Sequence, residues 1–117
     1  MEDDPAKHVR ALFYRTSSGN EPVREWLKAL SAEDRMVIGV DIKTVEFGWP
    51  IGMPVCRSLG EGIWEVRSNL ADGRIARVLF ALHENKLYLL HGFIKKTQKT
   101  PPHELDLARR RFREVMQ

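Results

Sequence analysis

Apolar residues in the first half of the chain recur at the spacing of amphipathic helices. Pro22 suits the first position of a helix. Four apolar residues at i, i+3, i+4 and i+7 then form a stripe: Val23, Trp26, Leu27 and Leu30. Ser31, with Asp34 three residues later, resembles a capping box and predicts the start of a second helix. Because Gly48 is a stop signal, that helix should end near Phe47. The tight junction between the two helices predicts an αα-hairpin.

Runs that alternate or are continuously apolar predict strands in the rest of the chain. Residues 49–56 contain two prolines and a glycine, which is typical of a surface loop. Asp72 and Gly73 favour a hairpin turn, because these residues readily adopt positive φ. A second turn is expected at residues 84–86. The predicted strands are residues 9–15, 63–68, 74–82 and 87–94.

These elements predict the order β-αα-βββ-α and a single domain over residues 1–117. After two consecutive prolines, four apolar residues share one face of a C-terminal helix: Leu105, Ala108, Phe112 and Val115. The fold class is therefore α+β, with a small antiparallel β-sheet, an N-terminal αα-hairpin and a C-terminal helix. We expect the helices on one side of the sheet. With 43% hydrophobic residues in 117, the chain can bury a real core.

Composition and charge limit the possible classes of function. No apolar run approaches the about 18–20 residues that span a bilayer, and the acidic N-terminus does not resemble a signal peptide. We therefore expect a cytoplasmic protein with no membrane partner. Residues 86–117 carry eight Lys or Arg against three Asp or Glu, a net charge of +5. This bias favours a polyanionic partner, and the alternative is a solvated helix face with a charged tail.

Common catalytic and metal-binding signatures are absent from the sequence. There is no phosphate-binding loop, no GxGxxG, no HExxH and no GxSxG. The four histidines lie far apart, so we expect neither a metal ion nor a cofactor. The single cysteine, Cys56, fits a buried or incidental residue better than a nucleophile.

Cationic residues on the predicted strands are the main candidates for chemistry. Arg67 ends one strand, Arg77 lies inside the next, and Lys95 with Lys96 follows the third. An arginine inside an apolar strand must reach a cleft or a carboxylate, because burial of an unpaired charge is costly. On a meander these side chains can converge on one face. Glu65 shares that face, so an internal ion pair with Arg67 or Arg77 is the alternative to a functional site.

Three stretches of the sequence carry a resemblance to a known family. They are Leu-His-Gly-Phe-Ile-Lys-Lys-Thr-Gln-Lys-Thr-Pro at 90–101, Trp-Glu-Val-Arg at 64–67, and Arg-Val at 77–78. In these the chain resembles the phage-derived branch of the RelE/HigB-like toxins, the toxin halves of bacterial type II toxin–antitoxin modules. The element order also matches the compact RelE/ParE-like α+β fold. The resemblance spans nearly the whole chain.

The resemblance implies a metal-independent endoribonuclease that cuts mRNA on the ribosome and thereby inhibits translation. In such a reaction the 2′-OH attacks the adjacent phosphate, and the protein stabilises the phosphorane and moves two protons. The resemblance assigns the stabilisation of transition-state charge to Arg77 and a phosphate contact to Arg67. Of Lys95 and Lys96, one would protonate the leaving 5′-oxygen and the other would hold the backbone. A further set would contact RNA: Lys99, Phe93 and Arg74.

The sequence also departs from the fuller RelE pattern, which leaves the general base open. There is no lysine at position 63 or 65, and the C-terminal helix has no tyrosine. Glu65 and His91 are the candidates for the base by chemical type, and each could instead be structural. Phe93 could stack on a nucleobase, or it could belong to the core.

Partners and alternative functions follow from the same resemblance. We expect a helix-turn-helix (HigA-like) antitoxin, with the ribosome and mRNA as the other partners. The toxin alone should be a monomer and should form a hetero-oligomer with its antitoxin. Two other functions remain open. One is inhibition of DNA gyrase by a ParE-like toxin, and the other is an inactive domain that only binds the antitoxin.

Overall fold

A computed structural model of the chain describes residues 6–95 and 99–117 and has the expected α+β architecture. Pro22 begins the first helix, and the second runs close to its predicted end. A short 3₁₀ turn at Ala71–Gly73 separates the third and fourth strands. The elements are β1 (Arg10–Phe13), α1 (Pro22–Ala29), α2 (Ala32–Gly48), β2 (Cys56–Gly60), β3 (Ile63–Asn69), β4 (Ile75–His83), β5 (Lys86–Lys95) and α3 (Pro102–Val115).

Strand β2 is an element that the sequence analysis missed. It is a short strand at the edge of the sheet and pairs with β3 in antiparallel fashion, with Cys56 opposite Val66. Its residues have no clear alternation of apolar and polar side chains, and most of them are exposed. A glycine and a register shift further weaken the pattern. The segment therefore looks like a continuation of the preceding loop until its pairing partner is known.

The sheet has five strands in the order β1-β5-β4-β3-β2. Strands β2 to β5 form antiparallel neighbours, whereas β1 pairs with β5 in parallel, with Ala11 opposite Leu87. The expectation of a wholly antiparallel sheet is corrected at this one edge. Parallel pairing needs a long connection between the two strands, and here the whole intervening chain supplies it.

Helices cover both faces of the sheet, so the expectation that they lie on one side is wrong. The αα-hairpin packs on one face, where Val23 and Ile38 meet Val78 and Phe80. Helix α3 packs on the opposite face through Ala108 and its apolar neighbours. The physical reason lies in β4 and β5, whose alternate residues are apolar on both faces and must be covered on both.

Local signals at the αα-hairpin agree with the structure. The Ser31 hydroxyl accepts a hydrogen bond from the Asp34 backbone N–H at 3.1 Å, which confirms Ser31 as the N-cap of α2. Helix α1 packs so closely on β5 that a Cβ built on Gly92 would lie 2.5 Å from the Trp26 ring. At the β3–β4 connection, Asp72 and Gly73 have φ of 61° and 72°, as the Asp-Gly signal predicts.

Candidate active site on the α3 face

Most of the candidate residues lie on the face of the sheet that α3 covers. The register places Arg67 opposite Arg77 and Arg77 opposite Phe93, in one row across β3, β4 and β5. Glu65, through Leu79, and His91 occupy the neighbouring row. The predicted convergence of strand residues on one face is thus observed.

A bulge in β5 decides which residues reach this face. Leu79 pairs with His91 while Phe80 pairs with Leu89, so Leu90 is an extra residue on β5. Leu89 therefore faces the αα-hairpin, whereas Leu90 and Phe93 belong to the core under α3. Without the bulge, His91 would share the face of Leu89, because side chains alternate along a regular strand.

Arg77 and Glu65 form a buried pair at the centre of the cluster. Both side chains are 0% exposed, and the Arg77 Nη1 lies 3.5 Å from Glu65 Oε2. The same Nη1 donates to the Thr100 hydroxyl at 3.2 Å, and that hydroxyl donates to the Glu65 carboxylate. The internal ion pair considered as the alternative is therefore present, and it joins Glu65 to Arg77 rather than to Arg67.

Arg67, Lys95 and Lys99 surround this buried pair with more accessible positive charge. Arg67 is half-buried, and among the described residues its Nε has no hydrogen-bond partner. Lys95 is the last residue of β5 and is partly exposed, and Lys99 is exposed. Lys96 lies outside the described residues. Arg67, Lys95 and Lys99 are thus the candidate cations of this face that retain exposure to solvent.

His91 is oriented by a residue that the sequence analysis did not single out. Its Nε2 lies 2.8 Å from Glu104 Oε1 in the first turn of α3, and both side chains are about 15% exposed. The His91 ring also stacks on Phe93, with 5.5 Å between the ring centroids. An acidic residue just after the paired prolines is visible in the sequence. Its contact with His91, however, depends on the bulge and on the docking of α3.

Arg74 lies away from the cluster, on the face covered by the αα-hairpin. It pairs with Asp34 at the start of α2 through two hydrogen bonds of 2.8 and 3.1 Å. The hydrogen bonds from Arg74 hold the pKa of Asp34 below its ordinary value, against the opposing effect of burial. The structure therefore does not bring Arg74 together with the other predicted RNA contacts.

Cys56 is buried at the start of β2, as the sequence analysis favoured. Burial raises the pKa of its thiol to about 11, so the thiol stays protonated at neutral pH. A protonated, enclosed thiol is a poor nucleophile. Within residues 6–95 and 99–117, no group of three or more His, Cys, Asp or Glu side chains could hold a metal ion.

The chemical capacity of the α3 face follows from these positions. It offers cationic donors for a phosphate at Arg67 and Lys95, and an imidazole held by a carboxylate at His91. Such a set can bind a phosphodiester and move a proton without a metal ion. None of the helices in the described part of the chain is both long and apolar enough to cross a bilayer.

A family model matches most of the chain. Residues 25–113 match the family described as "Phage derived protein Gp49-like (DUF891)". The matched stretch begins inside α1 and extends into α3. It therefore contains strands β2 to β5 and the side chains of the α3-face cluster described above. No curated protein matches the chain.

Proposed function

The chain belongs to the Gp49-like family of phage-derived proteins, which is associated with toxin–antitoxin modules, and from this premise we propose that it is a toxin that cuts mRNA on the ribosome. The observation that carries the proposal is the α3-face cluster, in which Arg67, Lys95 and His91 surround a buried arginine. Together these side chains supply phosphate binding and a proton carrier, which are the two requirements of RNA cleavage by a 2′-OH.

Two accessible cations carry the phosphate contact in this proposal. Arg67 binds the scissile phosphate, because its planar guanidinium matches two phosphate oxygens. Lys95, at the end of β5, neutralises the developing charge and donates a proton to the leaving 5′-oxygen. Arg77 has a different part from the direct contact first expected. Its enclosed guanidinium is paired with Glu65 and helps to hold strands β3 and β4 in register beneath the phosphate site.

His91 is the general base in this proposal. Glu65 is fully buried and engaged by Arg77 and Thr100, so it has no access to a 2′-OH. His91 is partly accessible, and the Glu104 carboxylate fixes the orientation of its ring. A neutral imidazole can accept the 2′-OH proton on a ring nitrogen. The nucleophile and the leaving group both belong to the RNA, so the reaction requires no metal ion.

The remaining partners also belong to this proposal. A ribosome would orient the mRNA for in-line attack. A helix-turn-helix antitoxin would keep the toxin inactive, and the toxin would act in the cytoplasm as a monomer. Gyrase inhibition by a ParE-like toxin is the less favoured alternative, because binding alone needs no oriented imidazole among cations.

A second candidate function is favoured by one observation. The Arg77–Glu65 pair neutralises the central charge of the cluster and removes both groups from solvent. A domain that has lost catalysis and only binds an antitoxin would tolerate such a pair. The two candidates differ in whether the purified protein cuts mRNA.

Translation of a defined mRNA in a purified system, with primer extension to map cuts, tests the proposal. We expect cuts within codons that require ribosomes. Arg67→Ala should slow them by about a hundredfold, the typical cost of losing one preorganised donor. His91→Gln should slow them as well. Lys28→Ala is the matched control, because Lys28 is an exposed cation on α1, on the opposite face.

The outcomes separate the candidates. Cuts that persist at the wild-type rate in Arg67→Ala would overturn the assignment of Arg67. Intact mRNA with the wild-type protein would overturn the nuclease proposal and favour the binding domain. Inhibition of DNA gyrase supercoiling by the same protein would then identify a ParE-like activity. Arg77→Ala is a weaker probe of catalysis, because loss of a buried ion pair also destabilises the fold.

A further inference from the structure

Helix α2 carries an apolar stripe that faces away from its own domain. Met36, Val40 and Phe47 are 70%, 57% and 37% exposed. At 3.6 residues per turn, these positions lie within about 40° of one another around the helix axis. Exposed large apolar residues that align on one helix are typical of an interaction surface rather than of scattered surface residues.

A groove runs beside this stripe, between α2, α1 and the edge strand β1. Its volume is about 510 Å³. Phe13, Leu27 and Ile42 are among the apolar residues that line it. Gly39 also lines the groove, and a Cβ built on Gly39 would meet nothing within 4 Å. The absence of a side chain at Gly39 lets another backbone approach α2 closely.

The groove beside the stripe has a net positive lining. The groove is lined by three cations, Lys7, Arg10 and Lys43, and by one carboxylate, Glu46. Lys7 lies 3.0 Å from Glu46 and also sits over the Phe47 ring, with 5.9 Å from Nζ to the ring centroid. Lys43 lies on the stripe itself, between Val40 and Phe47. An apolar surface with a cationic rim complements a partner that is apolar and acidic.

The contacts favour a helix as the occupant. An added strand would need the outward N–H groups of β1, but the Ala11 N–H already donates to Glu46 Oε2 at 2.7 Å. The stripe follows the period of a helix, and a second helix can pack along it. A second copy of this chain fits poorly, because pairing stripe to stripe would bring two Lys43 side chains together.

We propose that the α2 stripe and the adjoining groove bind an amphipathic helix of another protein, whose apolar face is flanked by acidic residues. The identification of that protein as the antitoxin rests on the proposed function, whereas the binding surface does not. The surface lies on the αα-hairpin side of the sheet, opposite the α3-face cluster. The partner helix therefore docks without contacting Arg67 or His91.

Binding of designed peptides to the full chain tests the surface. The probes are three fluorescent helical peptides of about 18 residues, five turns of helix. They share one leucine stripe, which is flanked by Glu, by Gln or by Lys. We expect the Glu-flanked peptide to bind most tightly and to weaken as salt is added.

Substitutions locate the binding. Val40→Asp and Gly39→Glu should each weaken binding of the Glu-flanked peptide about tenfold, because each adds negative charge. Val40→Asp also removes apolar contact. Met116→Asp is the matched control, because Met116 is 48% exposed at the C-terminal end of α3, on the other side of the molecule. Circular dichroism of each variant checks that it is folded.

Several results would overturn the inference. These are no binding by any peptide, equal binding of the Lys-flanked peptide, or an equal loss in Met116→Asp. Sedimentation that shows a dimer of the wild-type chain, dissociated by Val40→Asp, would assign the stripe to a second copy instead. The peptide assay contains no RNA. A chain that binds the Glu-flanked peptide but leaves mRNA intact would overturn the proposed nuclease and leave this surface standing.

Discussion

Arg77 shows how one residue constrains its surroundings. An arginine in the middle of an apolar strand cannot be buried alone, because the desolvation of an unpaired charge costs several kcal/mol. The sequence therefore predicts a carboxylate or a cleft beside it. The structure supplies Glu65 from the neighbouring strand and the Thr100 hydroxyl, with both charged side chains fully enclosed. The same pair encloses Arg77, so the proposed phosphate contact falls to Arg67, which is only half-buried.

The buried pair gives a prediction for stability. Arg77→Ala should lower the free energy of unfolding by about 3–5 kcal/mol, because it leaves the Glu65 charge buried without its partner. The double variant Glu65→Leu with Arg77→Met should recover most of that loss, since it removes both charges and keeps the volume. Urea unfolding followed by circular dichroism measures both. An Arg77→Ala variant as stable as the wild type would show that the pair is not buried in solution.

The element scale is illustrated by the start of α2. Ser31 caps the helix locally, whereas the Asp34 side chain reaches across to Arg74, which directly precedes β4. An acidic residue in the first turn is favourable for any helix, because it complements the helix dipole. Here it also fixes the helix to the sheet. A residue that the sequence analysis placed among the RNA contacts thus connects two elements.

This connection predicts a dependence of stability on pH. The pKa of Asp34 is lowered in the folded state, chiefly by hydrogen bonds from Arg74, relative to about 3.9 in an unfolded chain. The stabilisation is therefore complete above about pH 4 and is lost as the pH falls through the lowered value. When the pH is lowered from about 5 to about 3, the free energy of unfolding should fall less in Asp34→Asn than in the wild type. Urea midpoints at both pH values measure the difference.

A matched variant keeps this test specific. Glu33→Gln removes an exposed carboxylate from the same helical turn and should keep the acid sensitivity of the wild type. If Glu33→Gln and Asp34→Asn lose the same stability on acidification, the ion pair with Arg74 does not account for the pH dependence.

At the scale of the whole molecule, the sheet separates two surfaces. The α3 face holds the cluster of Arg67, His91 and Lys95, which lies on β3 and β5. The αα-hairpin face holds the apolar stripe of α2. One small domain can therefore offer a polyanion one face and a protein helix the other.

This separation predicts a salt dependence that is specific to one face. Binding to ribosomes should weaken as salt rises, because cations on the protein release counterions from RNA. Lys95→Gln should reduce the slope of log affinity against log salt by about one. Lys28→Gln, on the opposite face, should leave the slope unchanged. Equal slopes for both variants would show that the α3 face does not contact RNA.

The sequence by itself determined the features that depend on neighbouring residues. Pro22 and Ser31 begin their helices, and Asp72 with Gly73 turns the chain between β3 and β4. Apolar residues on both faces mark β5 as a covered strand. Each of these signals works within a few residues, because capping, turn conformation and side-chain alternation are local effects.

Tertiary structure alone decided the features that join distant segments. It made β1 a parallel neighbour of β5 and put α3 on the face opposite the hairpin. It also made a strand, β2, of a segment whose sequence has no clear strand pattern. The bulge at Leu90 moved His91 to the α3 face, where Glu104 meets it. These outcomes depend on which surfaces bury each other, and residues far apart in the chain settle that through packing and hydrogen bonding rather than through local preference.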